Sequence, residues 1–264
     1  MIHVSIVPET IFHIGALPVT NSLLTSWLVV AGLCIGAYFL SKTVKRIPGK
    51  VQNFVEFIFE KLIDFMSTVG GGRDNAIRFF PIVGTIFIFV LTANWVGILP
   101  GVGSIVFTEH INGKEIVAPL FRSVNSDLNM TLALALLTVT LAHIFGFIYI
   151  GAKAHLSKFF NFSGPIAFYT GILELISELS KIVSLAFRLF GNVFAGEVLL
   201  VIIGSLLPYI APVPFYGMEL FVGFIQALVF AVLAMVAFSS ATIRHDHEPH
   251  TDTHSSPHPQ KTLT

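Results

Sequence analysis

The sequence has 264 residues with 15 acidic and 15 basic side chains, so its formal net charge is zero and overall electrostatics selects neither a nucleic acid nor an acidic partner. Hydrophobic residues make up 54% and charged residues only 11%, with a mean hydropathy of +0.82. A soluble domain carries about a quarter charged residues, so this composition excludes a large water-soluble core and points to a protein of the bilayer. The single cysteine, Cys34, excludes an internal disulfide framework; set in an apolar run, it reads as a small buried hydrophobe. No internal repeat and no dinucleotide, P-loop or zinc motif is present, and neither a cofactor nor a metal is expected.

Residues 1–20 hold no Lys or Arg, unlike a secretory signal or a transit peptide, so insertion through the first span is expected. Five long apolar segments follow, at about 23–40, 79–99, 128–150, 166–207 and 214–242. Each is long enough for a hydrocarbon core of roughly 30 Å at 1.5 Å per residue. Residues 51–69 follow another pattern. Val51, Phe54, Val55, Ile58, Leu62, Phe65, Met66 and Val69 fall at helical spacing, with Asn53, Glu56, Glu60, Asp64 and Ser67 opposite. This predicts an amphipathic helix lying at the interface or covering a neighbour.

The expected fold is therefore all-α and integral to the membrane, with five crossing helices and one amphipathic interfacial helix. The fourth segment runs about 40 residues without proline, or roughly 60 Å as a helix, twice the hydrocarbon thickness. It either breaks near Gly171 or Gly191 or lies at a steep tilt, and the tilt is expected. With Pro208, Pro212 and Pro214 turning the chain, the last two helices are predicted to form a long, strongly tilted hairpin. Lys and Arg concentrate in the segments after the first, third and fifth spans. By the positive-inside rule, the N-terminus lies outside and the C-terminus inside. Residues 1–243 then form one membrane domain. Residues 244–264, with His245, His247, His250, His254 and His258, form a disordered inner tail.

Charges at membrane depth carry the most information. Arg188 lies well inside the fourth segment, where an Arg costs at least about 2.5–3.5 kcal/mol on insertion scales. It is kept there only against a partner or water. Steps of three and four residues place Glu174, Ser177, Lys181, Ser184, Asn192 and Ala195 on its face. Around Arg188 that face is small and polar, which permits close approach of another helix. Glu197, nine residues on, falls about half a turn away at 100° per residue. In the fifth segment Glu219 and Gln226 share a face. In an antiparallel hairpin Glu219 comes level with Glu197, and Gln226 approaches the depth of Arg188.

Blander readings stand beside these. An internal salt bridge could hold Arg188, with Glu174, Glu178 or Lys181 simply capping a long helix near the inner surface. Glu219 could sit in interfacial water, and His143, within the third span, could be a packed histidine or a proton carrier. A stand-alone secondary transporter using Arg188 to bind an anion is a further possibility; it is expected to show repeats, and none is seen.

Residues 185–197 (LAFRLFGNVFAGE) closely resemble the signature of subunit a of F-type ATP synthases. Residues 8–15 (PETIFHIG), 21–27 (NSLLTSW), 94–100 (NWVGILP) and 127–136 (DLNMTLALAL) resemble further parts of that family, so the likeness runs from about residue 8 to 240. The resemblance implies a non-catalytic, ion-translocating stator with its tilted hairpin along the rotor ring of subunit c. It also implies contact with the peripheral-stalk subunit b and a place in a bacterial inner membrane or an organelle's energy-transducing membrane. By position, Arg188 resembles the stator arginine facing the rotor carboxylate, with Asn192 and Gln226 as polar neighbours. Glu197 and Glu219 match the outer half-channel pair, and Glu174 an acidic residue of the inner half-channel. Many members carry His at one of the outer positions where this chain has two Glu, so proton and sodium both stay open.

Overall fold

The computed structural model describes residues 8–15, 17–99, 105–111, 114–159, 164–207 and 210–242. Seven helices follow in order: α1 Asn21–Thr43, α2 Lys50–Val69, α3 Arg73–Ile98, α4 Leu128–Tyr149, α5 Ala152–Ser157, α6 Pro165–Leu206 and α7 Pro212–Thr242. Five of them, α1, α3, α4, α6 and α7, are long and apolar enough to cross a membrane. α2 is the expected amphipathic helix, with Leu62 and Met66 as its buried residues.

Local chemistry sets the boundaries. Thr20 caps α1 by accepting from the Leu23 amide, and Asp127 caps α4 by accepting from the Asn129 amide at 2.9 Å. Pro165 occupies the first turn of α6, where its missing donor costs no helical bond. Between α2 and α3 the chain reverses through Gly71 and Gly72, at φ +76° and +121°, a backbone region that side-chain-bearing residues rarely adopt.

The fourth apolar segment does not break at Gly171 or Gly191. α6 is one helix of 42 residues, because neither glycine is accompanied by a proline or an intruding side chain that would interrupt its backbone ladder. α6 and α7 run antiparallel. The core forms where α3, α4, α6 and α7 meet α2, around the fully buried Phe79, Phe230, Phe238, Met66, Leu189 and Met235. Ala76, Ala227, Ala231 and Ala234 are also sealed from solvent, and small residues of this kind let helices approach closely where lipid supplies no hydrophobic drive.

Two small antiparallel hairpins depart from the all-α expectation: β1 Thr10–Ile14 with β2 Leu17–Thr20, and β3 Val106–Ile111 with β4 Lys114–Pro119. Both lie in segments flanking the spans. Open strand edges need water or another partner, so such hairpins belong outside the hydrocarbon region. Cys34 also departs from expectation. It is exposed on α1, whose buried residues, Asn21, Ser22, Thr25, Ser26 and Val29, all lie near its first turns.

A polar seam holds the loop before α4 inside the fold. Ser22 Oγ donates to Asp127 Oδ2 at 2.7 Å, and the Arg122 amide donates to Thr25 Oγ1 at 3.3 Å. Asn125 Nδ2 donates to Asn94 Oδ1 at 2.7 Å, and Asn94 Nδ2 to the Gly223 carbonyl at 3.0 Å. Residues 122–127 are all buried, and most of their polar groups find partners, as buried polar groups must; the Ser123 hydroxyl has none among the described residues.

Candidate functional site

Arg188 lies near the middle of α6 and is exposed. Its Nη2 donates to Ser184 Oγ, one turn back, at 3.3 Å. Among the described residues no carboxylate comes within ion-pair range of it, so the internal salt bridge is not formed. Glu174, Ser177, Ser184, Asn192 and Ala195 are exposed with it, and Lys181 is half-buried. The polar face therefore looks out of the molecule. A guanidinium stays charged under all physiological conditions, so this face presents a permanent cation.

One turn beyond Arg188, Asn192 Nδ2 donates to Gln226 Oε1 on α7 at 2.6 Å. Gln226 is buried, and this bond supplies its partner. Another turn on, α7 closes against α6 at Gly196. A Cβ there would overlap the Glu219 carboxylate, which rests on the helix backbone. Glu219 is 6% exposed, so it is not a residue standing in interfacial water. Its contact with Gly196 brings it level with Glu197.

Glu197 turns away from Arg188, toward the loop before α4. Its Oε1 lies 3.4 Å from Arg122 Nε, which also donates to Ser126 Oγ at 3.1 Å. The other oxygen of Glu197 is buried without a hydrogen bond among the described residues. Sequence reasoning did not single out Arg122. Its signal was the polar run from Arg122 to Asp127, interrupted only by Val124 and set directly against an apolar span.

At the other end of α6 a cavity of about 440 Å³ opens between α4, α5, α6 and α7. His143, His155, Lys158, Glu174, Glu178 and Lys181 are its ionisable lining residues. Lys181 Nζ donates to Glu178 Oε1 at 2.7 Å, and His143 Nε2 stands 3.9 Å from Glu178 Oε2. His143 Nδ1 and His155 Nε2 lie 3.2 Å apart. Glu178 and Lys181 thus form an ion pair, and that pair lines a cavity. Burial pushes the His155 imidazole below its ordinary value of 6.5, and His143 and Lys158 push it further, against a smaller upward pull from Glu178. His155 comes from the short helix α5, which no apolar pattern announced.

The residues singled out in the sequence therefore fall into three groups along α6: Glu197 and Glu219, then Asn192, Gln226 and Arg188, then Glu174, Glu178, Lys181 and His143. About 23 residues separate Glu174 from Glu197, or roughly 35 Å of helix. Among the described residues no group of three His, Cys, Asp or Glu is arranged to hold a metal ion. The histidines of residues 244–264 lie outside the described residues.

A family profile described as ATP synthase A chain matches residues 23–239. Proteins named ATP synthase subunit a are similar over 235 residues. Those of Campylobacter jejuni subsp. jejuni serotype O:23/36 and of Campylobacter jejuni strain RM1221 are each 32% identical, over 88% of this chain and 89% of the relative. That of Campylobacter jejuni subsp. doylei is 31% identical over the same shares.

Proposed function

Because the chain belongs to the ATP synthase A chain family, we propose that it is the stator subunit a of an F-type ATP synthase, passing protons to and from the carboxylates of a rotating ring. The observation that carries this reading is Arg188: a permanent cation exposed on the polar face of one unbroken helix, without a carboxylate partner among the described residues. It lies between an outer pair of carboxylates and an inner cavity.

In this mechanism a proton from outside reaches Glu197 and Glu219 and then neutralises a carboxylate of the ring of subunit c. A neutral carboxyl can rotate into lipid; a charged one cannot without a large desolvation cost. After nearly a full turn it meets the inner cavity and releases its proton toward Glu174, with Glu178, Lys181 and His143 lining the route. Arg188 attracts the deprotonated ring carboxylate and repels a proton attempting to pass directly between the two sides. Each charge moved down the membrane potential releases about 2.3 kcal/mol per 100 mV, and only a closed direct route turns that into torque.

The same reading assigns no catalytic site to this chain. It places α6 and α7 at a steep tilt along the ring and gives the chain a second neighbour in the peripheral-stalk subunit b. The chain belongs, in this reading, to a bacterial inner membrane, its N-terminus outside and its C-terminus inside. Residues 1–243 act as one membrane domain and 244–264 as an inner tail. Replacing Arg188 with Ala is expected to abolish ATP-driven proton pumping by the whole complex in inverted vesicles. Undiminished coupled pumping refutes the assignment. ATP hydrolysis that requires sodium in the same vesicles replaces the proton with sodium.

A further inference from the structure

His155 is 3% exposed. Its ring lies against Gly146, where a Cβ would overlap the Cε1 and Nδ1 atoms. Nδ1 is buried without a hydrogen-bond partner among the described residues, while Nε2 faces His143 Nδ1 at 3.2 Å. Two imidazole nitrogens at that distance share one proton, and there are two ways to arrange it.

If His143 donates, a neutral His155 must carry its own proton on Nδ1, where a buried N–H meets no acceptor. If His155 donates, its bare Nδ1 lies against the Gly146 backbone, and a buried lone pair without a partner is the lesser loss. The second arrangement leaves His143 Nδ1 as an acceptor and puts the proton of neutral His143 on Nε2. That nitrogen points at Glu178 Oε2, 3.9 Å away, and the other Glu178 oxygen takes Lys181 Nζ at 2.7 Å. A doubly protonated His155 is disfavoured by its burial and by the neighbouring His143 and Lys158, with only Glu178 acting the other way. The remaining ionisable groups facing this cavity are Glu174 and Lys181.

We propose that His155 is a positioning residue that keeps the Nε2 proton of His143 on the side of the Glu178 carboxylate, so that the His155–His143 pair and the neighbouring Glu178–Lys181 pair together brace the inner cavity while Glu174 exchanges protons. The nitrogen of His143 open to the cavity already carries its proton. The one bare nitrogen of the pair is sealed behind His155, so the pair accepts no proton from the cavity without rearranging both rings. Glu174 is exposed on the cavity wall and has no hydrogen bond or ion pair among the described residues. This inference rests on the stator reading and divides the work within its inner route.

The test uses the intact complex in inverted vesicles, with ATP-driven pumping measured against inner-side pH. H143Q, which keeps an N–H donor and cannot shuttle a proton, is expected to retain at least half of the pumping rate, whereas H143L and E174Q lose most of it. H155A releases His143 from this fixed arrangement, so its rate gains a dependence on inner pH that the parent lacks, and adding H143Q removes that dependence. H143Q falling as low as H143L makes His143 a proton carrier and overturns the proposal, as does wild-type pumping by E174Q. Where H155A does not assemble, the contrast between H143Q and H143L decides. R188A in the same vesicles separates the two levels: its loss of pumping upholds the stator reading whatever the histidine variants do, and its retention of pumping defeats both.

Discussion

Asn192 on α6 and Gln226 on α7 are joined by a hydrogen bond of 2.6 Å one helical turn from Arg188. The two side chains are 34 positions apart in the chain. Their bond sets the register of the antiparallel pair at the depth of the cation. Replacing Gln226 with Leu removes the acceptor and leaves the Asn192 amide group without it, at a cost of about 1–3 kcal/mol for a buried group and less for this partly exposed one. Q226L is therefore expected to pump several-fold more slowly than the parent complex. The double variant N192L/Q226L should be little worse than Q226L, because the second change removes a group already deprived of its partner. A double-mutant cycle on ATP-driven pumping measures this coupling.

Gly196 is required by close approach rather than by backbone conformation. A Cβ there meets the Glu219 carboxylate and must push α7 away from α6. G196A is expected to lower pumping strongly, and shortening the opposing side chain in G196A/E219D should restore part of it. Equal pumping by G196A and the parent in the vesicle assay counts against this packing.

The buried imidazole of His155 gives a pH dependence of stability. Its folded value lies below the ordinary 6.5, so above about pH 6.5 the histidine is neutral whether the chain is folded or unfolded, and the stability is complete. As the pH falls below that point the unfolded chain gains a proton that the folded chain does not. Stability is then lost at up to about 1.4 kcal/mol per pH unit. The thermal midpoint of the detergent-solubilised complex should fall between pH 6.5 and 5.5, and H155Q should flatten that fall.

Arg122 and Glu197 pair at 3.4 Å, the arginine buried and the glutamate side chain 30% exposed. Breaking a fully buried pair costs roughly 3–5 kcal/mol because one charge is left stranded; the partial exposure of Glu197 reduces that figure. R122L should lower the thermal midpoint of the complex, and R122L/E197Q should recover much of the loss by removing the stranded charge. Failure of the double variant to recover shows that the Arg122 side chain acts through Ser126 instead.

The five long helices, the amphipathic α2 and the polar face of α6 were legible because each rests on a period or run within the chain itself. Apolar length marks a span, and steps of three and four residues collect Glu174, Arg188 and Asn192 on one side. The level pairing of Glu219 with Glu197 could also be reached, by counting outward from a proline-rich turn. What escaped depends on chain segments distant in sequence. Arg122 reaches Glu197 because the loop before α4 is drawn inward by hydrogen bonds to α1 and α3, and no local pattern encodes that. His155 matters through a partner twelve residues away and a glycine on α4. The two hairpins were missed because short strands outside the spans carry little hydrophobic alternation.

An uninterrupted α6 also has a mechanical consequence. Its backbone bonds make it a stiff strut, and the carboxylates near its two ends are held at a fixed spacing of roughly 35 Å. A hinge at Gly171 or Gly191 would let a sideways load bend the strut and change the spacing of those carboxylates. With no such joint, the load passes instead to the packing of α6 against α4 and α7, and in the proposed mechanism the offset between the two proton routes stays constant.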